Sequence, residues 1–223
     1  MWRTGYNCDE MSTSTTDLID THCQTSERLN LEGFPDEALA EADRALSLEP
    51  HNPRARFQKA YSLFLLGSLA QAGDVLDDLC QTSPDYPNAQ WLRAGVLRRR
   101  LGDHDPNVLG AYRQALDSDS ANLYIQSEIA DVLRARGAYA EARAMYRQLA
   151  SHEACEDEAL RIEATFQLGV VSQVLGELDE ALAAFSTVLE QMPDYPDARE
   201  MVELLSASPG SEEPGRGYKP TLL

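Results

Sequence analysis

The sequence predicts an all-α protein built from a row of helix pairs, and three observations predict it. One pattern of glycine, alanine and proline recurs five times at intervals of 34 to 39 residues. Ahead of each copy stands a second helical pattern with a small residue in its middle. Aromatic residues make up only 7% of the 223 residues while alanine is abundant. That composition suits closely packed helices better than a sandwich of β-branched strands.

Taken in order, the segments Gly33–Pro50, Gly67–Pro84 and Gly176–Pro193 align without gaps. Each runs glycine, four residues, alanine (Ala38, Ala72, Ala181), six residues, a small or apolar residue, and proline five positions later. Gly137 to Ala154 is a further copy with Ala154 in place of the proline. Gly102 to Ser120 is another, with one inserted residue and Ser120 in place of the proline. Each glycine is expected to end the first helix of its pair in a left-handed cap, and each proline to stop the second. Asp36, Glu37, Asp179 and Glu180 fall at second-helix starts, where the helix dipole favours carboxylates. In the first helices, Ser26, Ala60, Ala94 (or Gly95), Ala130 and Gly169 are the small residues. Leu29, Leu63, Leu97, Leu133 and Leu168 supply the apolar stripe around them. A plain four-helix bundle gives no reason for a period of this length, whereas a repeat array does.

This pattern resembles the tetratricopeptide-repeat (TPR) family, of bacterial type, over about residues 19 to 195. The resemblance implies a right-handed superhelical solenoid of about five helix–turn–helix repeats. Their expected spans are 19–52, 53–86, 87–122, 123–156 and 162–195, with a capping helix at 196–205 to cover the last apolar face. The small residues of the two helices face each other and let the backbones approach closely. The repeat domain is thus expected at 17–205, between a disordered N-terminus (1–16) and a disordered tail (206–223) rich in proline, glycine and serine. Two departures stand out: an extra residue between Arg98 and Pro106, and about five extra residues in the acidic stretch Cys155 to Arg161. The second predicts a longer loop or an extended helix.

Composition narrows the function. With 37 acidic and 19 basic residues the formal charge is −18, so phosphate backbones and anionic membrane surfaces are repelled. Only Lys59 and Lys219 are lysines, a codon signature expected of a GC-rich bacterium. The longest uncharged run, Ala60 to Gly73, is 14 residues, short of the ~18–20 that cross a bilayer. The start lacks the basic and apolar regions of a signal peptide. Met11 opens a more natural beginning than Met1, so an upstream extension is expected there. Cys8, Cys23, Cys80 and Cys155 are scattered and form no CxxC, which fits a reducing, cytoplasmic setting. His22, His51, His104 and His152 make no metal-ligand spacing. No phosphate loop, nucleophile elbow or dinucleotide motif occurs. No enzyme activity, cofactor or metal is therefore expected.

In the family, first helices line a concave groove that takes peptides. Carried onto this chain, the inward positions of the first repeat are Asp20, Cys23, Glu27, Asn30 and Leu31. The second repeat gives Arg54, Phe57, Tyr61, Phe64 and Leu65, and the third Asn88, Trp91, Gly95, Arg98 and Arg99. The fourth gives Tyr124, Ser127, Asp131, Arg134 and Ala135; the fifth gives Glu163, Phe166, Val170, Gln173 and Val174. The partner-binding set is expected among Arg54, Phe57, Tyr61, Phe64, Trp91, Arg98, Arg99, Tyr124 and Arg134, since aromatic and arginine side chains dominate interface energetics. Arginines in so acidic a chain point to a protein or peptide partner of acidic or carboxylate character. The lysine- and asparagine-based clamp by which some members hold chaperone C-termini is absent, since Cys23, Glu27, Gln58, Asn88 and Leu92 occupy its positions. The expected role is a protein–protein adaptor or scaffold. Alternatives are a self-assembling homo-oligomer, or a secretion or assembly accessory whose own tail is the ligand. Replacing Ala38 or Ala181 by leucine should overpack the helix-pair contact and cost about 1–3 kcal/mol; an unchanged melting temperature would contradict the alignment.

Overall fold

The computed structural model describes residues 14–152 and 157–207. Among them are eleven α-helices and no strand. Two compact units divide between Arg100 and Leu101. The first holds α1 (Thr15–Leu31), α2 (Pro35–Leu48), α3 (Pro53–Leu65), α4 (Leu69–Thr82) and, up to its last residue, α5 (Ala89–Leu101). The second holds α6 (Pro106–Ser118), α7 (Leu123–Ala135), α8 (Tyr139–Ala150), α9 (Glu158–Leu175), α10 (Leu178–Gln191) and α11 (Pro196–Ala207).

Helix ends follow from local chemistry. The five repeat glycines all have φ between +75° and +85°, the left-handed region that costs glycine least. After four of them the chain closes a Schellman turn: Phe34, Ser68, Ala138 and Glu177 donate their N–H to Leu29, Leu63, Leu133 and Ser172 carbonyls. Side chains of Asn52, Asn122 and Asp157 cap α3, α7 and α9. Ser14 and Asp17 form a reciprocal capping box, so α1 begins at Thr15, inside the segment expected to be disordered. At the other end α11 continues to Ala207, two residues past the expected cap. The remaining parts of both expected disordered ends, residues 1–13 and 208–223, lie outside the described residues. So do Cys8 and Cys155.

Both insertions have visible outcomes. The extra residue near Arg98 falls in the α5–α6 link, 102–105, where Asp105 caps α6. The α4–α5 link, 83–88, is longer than expected, and α5 therefore starts at Ala89. Asn88, expected on an inward face, instead precedes the helix at φ +62°. Asparagine tolerates that conformation better than most residues. The acidic insertion emerges into α9, an 18-residue helix that begins four residues ahead of Ile162.

The cores are made where paired backbones come close. Ser26, Ala60, Ala94 and Ala130 on first helices are 0% exposed, as are Ala38, Ala72, Ala142 and Ala181 on second helices. Ser26 donates its hydroxyl to the Ala38 carbonyl at 2.7 Å, a bond that only close approach permits. One turn further along, the second helices carry Ala42, Leu76, Tyr112, Tyr146 and Phe185, all at 2% exposure or less. Where this residue is Phe185, the first helix offers Gly169.

Two polar devices fix the links. Arg56, Gln126 and Arg199 each donate to the carbonyl six residues earlier, on Pro50, Ser120 and Pro193, at 3.2, 3.2 and 2.6 Å. Arg56 also pairs with Asp78 of α4 at 2.7 Å. Between α1 and α3, buried Asn30 donates to Gln58 at 3.3 Å and accepts from Ser62 at 3.0 Å.

A methyl group at Gly169 would stand 2.7 Å from the Phe185 ring. Gly169→Ala should therefore lower stability by about 1–3 kcal/mol, read from urea unfolding. Adding Phe185→Leu should recover part of the loss; no recovery would mean that the ring is not the obstacle.

Candidate functional site

Along α3 the residues Arg54, Phe57, Tyr61 and Phe64 recur at helical spacing and share one face. Phe57 and Tyr61 stack with ring centroids 6.3 Å apart and planes within 2°. Both are half-buried: one side rests on the core made by Leu63, Leu76, Leu92 and Val96. Tyr86, from the α4–α5 link, tilts against Phe57 at 5.5 Å. Burial pushes its phenol above the usual range, with Arg54 acting in the opposite direction. Trp91 on α5 packs against the same core, and its buried indole Nε1 has no hydrogen-bond partner among the described residues.

The charges at the two ends of this face differ. At the N-terminal end Arg54 lies 3.0 Å from Glu27 and 3.8 Å from Asp20, both on α1. The Glu27 hydrogen bond raises the guanidinium pKa further. Two carboxylates thus offset one cation, and Arg54 is not a free anion receptor. Cys23, behind this pair, is buried, and burial pushes its thiol up. At the C-terminal end Arg99 of α5 lies over the Phe64 ring, 4.4 Å from its centroid, a cation–π contact. Its Nη1 donates to the Phe64 carbonyl at 2.8 Å, which also accepts from the Gly67 N–H at 3.1 Å. Arg99 remains exposed, and Arg98 beside it is half-buried.

Seven of the nine expected partner-binding residues thus belong to the first unit. Tyr124 and Arg134 lie in the second, at opposite ends of α7. Tyr124 is 54% exposed and donates its hydroxyl to Asp157, the cap of α9. That hydrogen bond, first among the causes, holds the Asp157 carboxyl below its usual range. Arg134 is drawn toward Asp131, at 4.0 Å, and toward the buried Tyr146. Tyr146 itself donates to Asp131 at 2.5 Å.

Besides Asn88, two residues depart from the repeat alignment. Asn30, expected to face inward, is 6% exposed and serves the bridge to Gln58 and Ser62. Tyr86 was not expected at all. A signal for it does exist, because Pro84-Asp85-Tyr86-Pro87 recurs as Pro193-Asp194-Tyr195-Pro196. Among the described residues no helix is long and apolar enough to cross a membrane. Among them, too, no three His, Cys, Asp or Glu side chains are grouped to hold a metal.

Comparison with known proteins shows what the arrangement is similar to. The tetratricopeptide-repeat family model matches residues 32–87. A TPR repeat-containing protein of Methanocaldococcus jannaschii is 25% identical over 176 residues. The match covers 78% of this chain and 29% of that protein, so the chain spans less than a third of the length of its relative. A thermophilic TPR protein of Thermus thermophilus superimposes with a TM-score of 0.61 at 23% identity, over 84% of this chain and 98% of that one. YrrB, a TPR protein with an unusual peptide-binding site, gives 0.62 at 15% identity, over 85% and 98%. The same glycine-capped pattern occurs five times along the sequence, so the likeness to the tetratricopeptide-repeat family, matched by its model at residues 32–87, extends in fold along the described helices.

Proposed function

We propose that this chain is a non-catalytic adaptor that holds a segment of a partner protein against the α3 face. TPR domains in general mediate protein–protein interaction; which segment and which face is the reading offered for this chain. The observation that carries it is the aromatic row Phe57, Tyr61 and Phe64, lined up on one helix and only half-covered by the core. Large rings with a wet side supply contact area at little entropy cost, the property of interface hot spots. Trp91 of α5 packs against the same core as the row, and Arg98 is a further proposed contact; Tyr124 and Arg134 form a separate proposed set on α7 of the second unit. The description of YrrB as a peptide-binding TPR protein supports the class of ligand and nothing finer. An acidic or carboxylate-bearing segment suits Arg99, whose exposed guanidinium rests on Phe64 and, among the described residues, makes no ion pair. Arg54 adds little to that preference, since Glu27 and Asp20 offset it. Free Cys23 and Cys80 fit work in the cytoplasm.

The test uses a partner recovered by affinity capture and identified by mass spectrometry. Tyr61→Ala should weaken its binding by about 2 kcal/mol, roughly 30-fold, with helicity retained. Arg99→Glu should slow association in a salt-dependent way. Arg44→Glu, at an exposed position on α2, should bind normally. Loss of binding in the Arg44 variant, with the α3 and α5 variants unaffected, would move the site to the other helices.

A further inference from the structure

The tyrosine niche of the first unit has a counterpart in the second, with its charge inverted. Tyr195, in the link before α11, tilts on Phe166 of α9 with centroids 5.0 Å apart and planes at 36°. Tyr86 and Phe57 are 5.5 Å apart at 40°. Both tyrosines follow a Pro-Asp dipeptide and both lie 29 positions after their phenylalanine. Both links lead into a helix whose third residue after the tyrosine, Ala89 or Ala198, is fully buried. The two niches are therefore structural equivalents, and the polar residues around them can be compared position by position. Where the first has Arg54, the second has Glu163. Asn88 is replaced by Asp197, and Trp91 by Glu200.

The acidity of the second niche is not neutralised locally. Glu163 accepts from the Tyr195 hydroxyl at 3.2 Å and from the Gln167 amide at 2.8 Å, both uncharged donors. Burial, and then Glu163, push the Tyr195 phenol up, and Asp197 adds to this. The neighbouring base, Arg199, is turned to the Pro193 carbonyl at 2.6 Å and to Asp194 at 3.9 Å. Among the described residues no ion pair engages Glu163, Asp197 or Glu200. An apolar strip continues along α9 through half-buried Val170 to Val174, which is 40% exposed.

We propose that the α9 face, centred on Phe166 and Tyr195, is a second docking subsite that takes a cationic segment. An apolar side chain of the ligand rests on Phe166 and Val170, and its flanking lysine or arginine side chains meet Glu163, Asp197 and Glu200. Charge complementarity selects this occupant, because three carboxylates beside half-covered rings would repel an acidic segment. The chain then carries two ring niches of the same build and different charge preference. The reading of the α3 face as a docking face supplies the analogy on which this rests.

The test is an NMR titration of the whole chain at physiological salt. The probe is an acetylated, amidated peptide in which two lysines on each side flank one leucine, against a counterpart with glutamates in place of the lysines. The cationic peptide should shift α9 and α11 resonances, and the acidic one should not. Glu163→Arg with Glu200→Arg should raise its Kd by about 10-fold. The charge-matched pair Asp74→Arg with Asp117→Arg, on α4 and α6, should change it less than about 2-fold. Circular dichroism confirms that both pairs remain helical. Should either pair fail to fold, Glu163→Gln with Glu200→Gln supplies a milder change with the same expected direction. Equal loss in both pairs would reduce the effect to the net charge of the chain and overturn the subsite. So would shifts that map away from α9 and α11, or no binding at all. Tyr61→Ala should leave the cationic titration unchanged. A chain whose α3 variants lose the captured partner while the peptide fails to bind α9 would refute this inference alone.

Discussion

The constraint on which the rest depends is the close contact of two helix backbones within each pair. Helices meet at separations set by the side chains between them, and here those are Ser26 with Ala38, Ala60 with Ala72, and Ala130 with Ala142, all fully buried. Once the crossing residues are that small, everything larger is displaced to the flanks. The next position on the second helix then becomes the volume filler, from Ala42 through Leu76 to Tyr112, Tyr146 and Phe185. Gly169 shows how tight the fit is, because the ring of Phe185 occupies the space of the missing Cβ. On the other flank of the first helix, large residues find only partial cover. Phe57, Tyr61 and Phe64 are half-buried for this reason, and a half-buried aromatic row is what a partner can complete.

Charge gives the faces their differences. The chain is strongly acidic, yet a cation stands at each end of the α3 face: Arg54 with carboxylate partners, and Arg99 of α5, which has no ion pair among the described residues. Arg54 is tied to Glu27 and Asp20, while Arg99 stacks on Phe64 and answers its carbonyl. Buried polar groups elsewhere do structural work. Asn30, Gln58 and Ser62 satisfy one another across α1 and α3, which makes their burial tolerable and sets the alignment of neighbouring helices. Arg56 clasps the α2–α3 link and reaches Asp78. These contacts make the first unit a firm platform rather than a set of independent helices.

Much of this was legible in the sequence, for a physical reason. Glycine at a left-handed cap, small residues at a crossing and proline at a stop are imposed by backbone sterics, so they leave a periodic trace. The helix order, the glycine caps and the common face of Phe57, Tyr61 and Phe64 all follow from that trace. What was not legible depends on contacts between residues far apart in the chain. The helical face that leaves Glu27 accessible to Arg54 also places Asn30, three residues on, against Gln58 and Ser62; periodicity alone does not separate them. Arg54 read as a free cation because its partners lie 27 and 34 residues earlier. Tyr86 sits in a link, where no period applies, and only the recurrence of its Pro-Asp-Tyr-Pro string marks it. The added length of the α4–α5 link likewise carried Asn88 off the helix.

The central claim is that a partner covers the α3 face. Hydroxyl-radical footprinting of the partner-bound chain against the free chain reads this side chain by side chain. A partner seated there lowers oxidation at Phe57, Tyr61, Phe64 and Trp91 and leaves exposed Leu48 of α2 and Met192 after α10 unchanged. Protection at Leu48 or Met192, with the four aromatic residues oxidised as in the free chain, would contradict it.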